Sequence, residues 1–387
     1  MRFAKRIGAP ALLATLALLV PGGPLRTQGL PPRPRLDPGR DTNSADSYYG
    51  YGLHILSTDP VKAEAAFIWA TRLDPGSAAS WYGRWAAAVM SLPSLSYEDY
   101  LYGSSRDTNR FQGVDSLKTH AEAIDPLLHE GLDYVVLERF FGERELTDYI
   151  FGHPDIGGWI AYSHGDAETA LDRYARAIKR WPYAYFLHWE RGRAFLLRMA
   201  YDSALAEMRV YRDSLRSKNE HELWRVIWSH EMTDYAIGRV EELRGHDDAA
   251  RQEYDTALVE NLGFAPAHVA LARMAVAHAD TATALTEYEA ATQVAEPVAC
   301  YAYGVLLWAT RHGANAAVQF GRAIAADSDY APPYLPLALL EESAGDDSVA
   351  VLLYRHFIAR APQTYARMVA IARQHLDSLT AKGSAPR

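Results

Sequence analysis

One short pattern recurs along most of this chain and restricts what it can fold into. An alanine is followed four residues later by an aromatic residue and, after three more residues, by a second alanine. Residues with this spacing lie on one face of an α-helix, and another element must cover that face. The pattern occurs at Ala63-Phe67-Ala70, Ala170-Tyr174-Ala177, Ala250-Tyr254-Ala257, Ala284-Tyr288-Ala291 and Ala316-Phe320-Ala323, and more loosely at Ala204-Met208-Tyr211 and Ala350-Tyr354-Phe357.

The stretch from Gly238 to Ala257 shows the whole unit, with two short helices joined by a turn at Gly245 to Asp248. From Ala170 onward, successive patterns begin 34, 46, 34, 32 and 34 residues apart. Alanine at a helix crossing lets two backbones approach, and the aromatic ring one turn later fills the space beside it. Each helix pair leaves an apolar edge that only the next pair can bury, so the spacing predicts an array.

Glycines and prolines mark the same period. They are Gly192, Gly238 and Gly304 in first helices, Gly165, Gly245 and Gly345 in turns, and Pro75, Pro182 and Pro362 at the ends of units. With a period near 34, the chain resembles the tetratricopeptide repeat family over roughly residues 45–364. The resemblance implies an all-α, right-handed superhelical solenoid of about eight helix-turn-helix repeats, with a capping helix and tail in residues 365–387.

The N-terminus has the layout of a secretory signal. Arg2, Lys5 and Arg6 precede the apolar run Ile7 to Val20, which is shorter than the roughly 20 residues needed to cross a bilayer. We therefore predict that residues 1–23 direct export to the periplasm or cell envelope; an uncleaved membrane anchor is the alternative. Residues 24–44 are rich in proline and arginine and read as an extended linker.

Three segments interrupt the predicted array, near residues 91–114, 129–154 and 218–230. The first is a long loop, and such loops are often functional, although a plain surface loop is the alternative. In the second, Leu132, Val135, Val136 and Phe140 have helical spacing and predict an extra amphipathic helix.

Composition excludes some classes of function. The formal net charge is −9 and the pI is near 5.9, which disfavours nucleic acid binding because that needs a basic surface. Cys300 is the only cysteine, so no intramolecular disulfide can form, and its place in a repeat helix predicts a small buried residue.

The resemblance also implies a ligand surface, because positions five, nine and twelve of each first helix line the concave face in tetratricopeptide arrays. Carried onto this chain, it implies a partner-binding groove with arginine at position nine of three successive units. Its candidate residues are Tyr82, Trp159, Tyr162, Trp189, Arg193, Tyr235, Arg239, Arg273, Tyr301 and Trp308, with Leu196, Glu242, Val269, Val276 and Val305 at further inward positions.

Aromatic and arginine side chains dominate binding hot spots, and arginine can hold a carboxylate through two hydrogen bonds. The expected partners are therefore acidic or C-terminal segments of other proteins. In the alternative, Arg193, Arg239 and Arg273 pair with carboxylates of the array, such as Glu190 or Glu242. The carboxylate-clamp subgroup of the family has lysine where this chain has Trp189, Tyr235 and Val269, so its chaperone-tail ligands are not implied.

No motif for catalysis stands out. His-Glu-x-x-His, phosphate-binding glycine loops and Gly-x-Ser-x-Gly are absent from the sequence. His153 with Asp155 and His164 with Asp166 could chelate a metal, but solvated turn residues explain them better. The sequence thus predicts a non-catalytic envelope scaffold without cofactor or metal. The alternatives are a membrane-tethered assembly factor with an uncleaved N-terminus and, less favoured, an enzyme that uses the inserted segments.

Overall fold

The computed structural model describes residues 30–92, 108–128, 132, 136, 154–217 and 230–383. The chain divides into two units, residues 1–31 and residues 32–387, and every described helix belongs to the second. The signal segment and most of the three predicted insertions lie outside the described residues. No described helix is long and apolar enough to cross a membrane.

The described part of the chain is built from helices, with no strand among its residues. We number the helices in chain order. Their bounds are α1 Ala45–Ile55, α2 Pro60–Leu73, α3 Ala78–Met90, α4 Thr108–Ile124, α5 Pro154–Ser163, α6 Ala167–Arg180, α7 Phe186–Leu196, α8 Tyr201–Ser217, α9 His230–Leu243, α10 Asp247–Glu260, α11 Ala265–Ala277, α12 Thr281–Ala291, α13 Pro297–Ala309, α14 Gly313–Ala326, α15 Tyr334–Ala344, α16 Asp347–Arg360 and α17 Ala366–Gly383.

Consecutive helices pack in pairs, from α1 with α2 to α15 with α16, and the second helix of most pairs also packs against the first helix of the next. The predicted all-α solenoid of helix pairs is confirmed. Eight pairs are present in the described residues, while the exact number of repeats stays a prediction. Helix α4 begins at Thr108, so the first insertion is shorter than predicted. Leu132 and Val136 of the predicted extra helix are helical and buried, and Val135 and Phe140 lie outside the described residues.

Aspartate side chains cap the N-termini of several second helices. Aspartates cap the N-termini of α2, α6, α12 and α16, each accepting a hydrogen bond from a backbone N–H three residues later. A carboxylate at this place satisfies an amide that has no partner within the helix and favours the positive end of the helix dipole. The four caps are Asp59, Asp166, Asp280 and Asp346.

The two ends of the array are in contact. Asp41 accepts a hydrogen bond from the backbone N–H of Gln363 at 2.6 Å, and the Asn43 amide donates to the carbonyl of Ala359 at 2.9 Å. Nearby, the Arg72 guanidinium lies 2.7 Å from Asp329 and 3.2 Å from Asp327. The first helix pair is therefore tied to the last two, which the sequence did not predict.

Candidate functional site

The predicted groove residues divide into a covered group and an open group. Tyr82, Tyr162, Trp189 and Tyr235, on α3, α5, α7 and α9, are each 5% exposed or less. Trp159 on α5 and Tyr301 on α13 are half-buried, and Tyr301 packs against Phe320 and Tyr330. By contrast, the Arg273 side chain on α11 is 51% exposed and Trp308 on α13 is 39% exposed. The most accessible of the predicted groove residues therefore lie in the C-terminal part of the array.

Much of the covering on α7 and α9 comes from the chain itself. We call residues 123–128, the end of α4 and the turn after it, the crossing segment. Ala123 and Leu127 pack against the apolar cluster that contains Trp189 and Tyr235. The main-chain carbonyl of Leu128 accepts a hydrogen bond from Arg193 at 3.1 Å. A segment from the second helix pair thus lies against the fourth and fifth pairs.

The carboxylate of Asp125 in the crossing segment acts on two groove residues. Burial raises the pKa of Tyr235, and the negative charge of Asp125 raises it further against the opposing effect of Arg239 and Arg273. Burial by itself would lower the pKa of Arg239, but Tyr235, Tyr254 and Asp125 together raise it. The negative charge of Asp125 therefore favours the charged form of Arg239.

The three arginines at position nine are paired within the array. Arg193 lies 3.6 Å from Glu190, and its guanidinium stands 4.8 Å from the centre of the Tyr162 ring. Arg273 reaches Glu242 at 2.7 Å, and Arg239 approaches the same carboxylate at 3.7 Å. The three arginines therefore pair with Glu190 and Glu242 of the array, which is the alternative that the sequence left open.

Glu242 has a third partner, because the Tyr254 hydroxyl donates to it at 2.8 Å. Burial first, and then this hydrogen bond, raise the pKa of Tyr254. One carboxylate is therefore shared by two guanidinium groups, Arg239 and Arg273. This local concentration of positive charge occurs in a protein whose net charge is −9.

The open part of the surface is mostly apolar. We call Arg273, Val276, Val305 and Trp308 the inner-face patch, since they occupy positions nine and twelve of the helices α11 and α13. Val276 is 47% exposed and Val305 is 41% exposed. Aliphatic and aromatic side chains beside a guanidinium can bind a protein segment through apolar contact and one charged anchor.

The described residues offer no comparable site for a metal. No group of three or more histidine, cysteine, aspartate or glutamate side chains in the described ranges could hold an ion. Asp166, one of the residues considered for chelation, caps α6 by accepting from the backbone N–H of Thr169. His153 lies outside the described residues. Cys300 is fully buried, as predicted, and burial raises the pKa of its thiol.

The crossing segment is the part of the site that sequence reasoning missed. Asp125 and Pro126 stand out in the sequence only as the end of a repeat, and nothing local distinguishes them from other repeat ends such as Asp74-Pro75. No signal in one sequence reports a contact between residues 65 positions apart, such as Leu128 and Arg193.

Close contacts at glycine residues recur within the helix pairs. In four pairs a glycine of the first helix faces a large side chain sixteen residues later, and a Cβ added at that glycine would lie only 2.6–2.9 Å from it. These contacts join Gly158 to Tyr174, Gly192 to Met208, Gly238 to Tyr254 and Gly304 to Phe320. They repeat the same close crossing along the array. The fold is that of a tetratricopeptide array.

Solved structures resemble it at low identity. The C-terminal part of a TPR repeat-containing protein from Cytophaga hutchinsonii is 14% identical, with a TM-score of 0.46 over 59% of this chain and 88% of that one. Yeast Tom70 is 11% identical, with a TM-score of 0.40 over 89% and 91%. The TPR2AB domain of yeast Sti1, solved as a complex with pHSP90, is 13% identical, with a TM-score of 0.26 over 59% and 99%.

No family model matches the chain, and no curated protein matches it. The architecture of this tetratricopeptide array therefore rests on its own helix pairs.

Proposed function

We propose that this protein is a non-catalytic scaffold that binds segments of partner proteins on the inner face of its array. The observation that carries the proposal is the inner-face patch. Equivalent positions on α5, α7 and α9 are largely covered, whereas Val276, Val305 and Trp308 are each 39–47% exposed. Exposed apolar side chains grouped beside charged ones mark interaction surfaces in soluble proteins.

The proposed partner is an acidic segment with aliphatic side chains. Arg239 and Arg273 share the carboxylate of Glu242, so a carboxylate supplied by a partner would complete the pairing of Arg273. The exposed guanidinium can form two parallel hydrogen bonds with that group, while Val276, Val305 and Trp308 contact neighbouring aliphatic side chains. A free C-terminus offers the same carboxylate and belongs to the same class.

The place of action is proposed from the N-terminal sequence. The basic residues and the apolar run of residues 1–23 support export to the periplasm or envelope. N-terminal sequencing of the exported protein tests this, because a mature start between Pro24 and Leu30 supports a released scaffold. Retention of Met1 would instead favour the membrane-tethered assembly factor. An enzyme using the inserted segments is not proposed, since those segments lie mostly outside the described residues.

Binding to an array of acidic and neutral peptides tests the proposed ligand surface. We expect Arg273→Glu to weaken binding of acidic peptides at least tenfold, because it places a negative charge where the partner carboxylate lies. The matched control is Arg176→Glu, which changes an exposed arginine of α6 that pairs with Asp172 one helical turn away. The control should leave binding unchanged.

A second pair of variants tests the apolar part of the patch. Val305→Ser should weaken the same peptides, whereas Val259→Ser changes a valine of α10 that is even more exposed and should have no effect. Equal binding by all four variants and the unmodified protein would refute the inner-face patch as the ligand surface.

A further inference from the structure

We propose that the crossing segment is an internal ligand. It occupies a second part of the inner face, near Arg193, Tyr235 and Arg239. A partner segment of the same chemistry must displace it to bind there. This inference rests on the proposed function and extends it from the open inner-face patch to the covered surface of α7 and α9. It also names the chemical class of the partner, a carboxylate followed by aliphatic side chains.

The position of the segment is the first support. Helix α4 belongs to the second pair, where it packs against α3. In a solenoid each pair contacts its neighbours. The crossing segment instead reaches α7 and α9, past the third pair formed by α5 and α6. It therefore contacts the inner face from outside the regular stacking of the array, as a bound peptide would.

The contacts of the crossing segment are of the kinds by which proteins bind peptides. The Arg193 guanidinium donates to a main-chain carbonyl, that of Leu128, at 3.1 Å. The Leu127 side chain packs against the cluster of Trp189 and Tyr235. The Asp125 carboxylate accepts a hydrogen bond from the backbone N–H of Leu127 at 3.1 Å, and its negative charge helps to raise the pKa of Arg239. A backbone acceptor, an aliphatic group and a carboxylate are thus provided within four residues.

The charges at position nine give a further reason. The arginines at position nine are Arg193, Arg239 and Arg273, and Glu190 and Glu242 of the array form ion pairs with them. The negative charge of Asp125, which belongs to the crossing segment, also favours the charged form of Arg239. Withdrawal of the segment would remove this negative charge and make the surface more attractive to an acidic segment.

A tethered ligand sets a threshold for its competitors. A segment held in the same chain acts at an effective concentration of about millimolar or more, so a free peptide with equal contacts is excluded at micromolar concentration. The apparent affinity for the partner is the intrinsic affinity multiplied by the fraction of molecules in which the site is open. Weakening the crossing segment should therefore strengthen binding of a peptide in trans.

The probe is the segment itself. A synthetic peptide with the sequence of residues 121–132, AEAIDPLLHEGL, carries all the groups named above and is labelled for fluorescence anisotropy. We expect the full chain with Asp125→Asn and Leu127→Ala to bind this peptide at least tenfold more tightly than the unmodified chain. A peptide with asparagine in place of its aspartate should bind the same variant more weakly, as should the unaltered peptide when Arg193→Ala is added.

Leu117→Ala is the matched control. Leu117 lies on α4 and packs against a different apolar cluster, the one that contains Phe67 and Trp85. The control should not increase peptide binding. Equal affinity of the double variant and the unmodified chain would overturn the proposal, provided that circular dichroism shows both folded, since the segment would then be only a structural brace.

Hydrogen exchange on the unmodified chain gives a second reading that does not depend on a variant. Saturation with the peptide should speed exchange of the amides in residues 123–128 and slow exchange in α7 and α9. Unchanged exchange at saturation would also overturn the proposal. The two proposals can also fail separately. If hydrogen exchange does not change but Arg273→Glu still weakens binding of acidic peptides, the internal ligand is refuted and the proposed function stands.

Discussion

At the scale of single residues, six turns between paired helices in the described ranges need a left-handed backbone. Glycine supplies it at Gly165, Gly245 and Gly345, with φ between 75° and 84°. Three other turns use residues with a side chain, namely Met199, Ala279 and Arg311, with φ between 53° and 66°. The left-handed conformation costs a residue with a Cβ about 1–2 kcal/mol, so these three turns are strained.

Replacing the strained alanine tests this difference. Ala279→Gly should raise the free energy of unfolding by about 0.5–1 kcal/mol, since relief of strain exceeds the added entropy of the unfolded chain. Chemical denaturation measures it. Gly245→Ala is the reverse change at an equivalent turn, where a Cβ meets no other atom, and should lower the free energy by about 1 kcal/mol. A decrease in the free energy of unfolding of Ala279→Gly would contradict the proposed strain at this turn.

A buried histidine should make stability depend on pH. The ring nitrogens of His268 lie 2.7 Å from Glu287 and 2.9 Å from the carbonyl of Leu262, and only the protonated ring can donate to both. The hydrogen bond to Glu287 is the main cause that raises the pKa of His268 above its usual value. Because the folded pKa is raised, this stabilisation is complete below the unfolded pKa and is lost as pH rises through the folded pKa.

The expected result is a pH-dependent effect of His268→Gln. The variant should lose about 1–2 kcal/mol of unfolding free energy near pH 5.5, where the charged hydrogen bonds are present, and less near pH 9. Urea denaturation at both values measures the difference. An equal loss at the two pH values would show that protonation of His268 contributes nothing.

At the scale of elements, the glycines of the first helices set how closely paired helices approach. A Cβ on Gly304 would lie 2.7 Å from the Phe320 ring, below any normal contact. The sequence marked Gly304 by its place in the repeat, and the structure shows why the residue is needed there. On α5, a Cβ on Gly157 would likewise meet the Arg173 side chain, and a Cβ on Gly158 would lie 2.7 Å from the Tyr174 ring.

Two glycines of the same helix pair provide a matched test. Gly304→Ala should lower the free energy of unfolding by about 1–3 kcal/mol, because the added methyl forces α13 and α14 apart. Gly321→Ala, on α14 with no atom within 4 Å of the added Cβ, should raise it by about 0.5–1 kcal/mol through helix propensity. Thermal and chemical denaturation measure both, and similar effects of the two changes would contradict the close crossing.

At the scale of the whole array, contact between the first and last helix pairs should limit its extension. Arg72 joins α2 to Asp327 and Asp329 in the turn before α15. Its guanidinium and both carboxylates are partly buried, so the pairing is screened less by salt than an exposed one. Asp41 and Asn43 add hydrogen bonds to the chain around Ala359 and Gln363.

Breaking this contact should open the array. We expect Arg72→Ala to increase the radius of gyration in small-angle X-ray scattering and to speed hydrogen exchange near Asp41 and Gln363. Reversing the charges, with Arg72→Asp and Asp329→Arg in one chain, should restore part of the compactness. The control Arg176→Ala removes an exposed pair within α6 and should leave the scattering unchanged. An unchanged profile for Arg72→Ala would show that the contact does not hold the ends together.

The sequence by itself determined the repeated helix pair, because helix periodicity, turn glycines and small crossing residues act within about 34 residues. Position in the repeat also predicts which side chains face inward, including Arg273 and Trp308.

Only the tertiary structure decided which of these side chains remain accessible. Arg193 meets Leu128 across 65 residues, and Asn43 meets Ala359 across 316. Such pairings depend on how the whole array curves, and that curvature sums small rotations at every helix contact. No local pattern encodes that sum, so the internal occupant of the inner face and the joined ends could be seen only once the chain was folded.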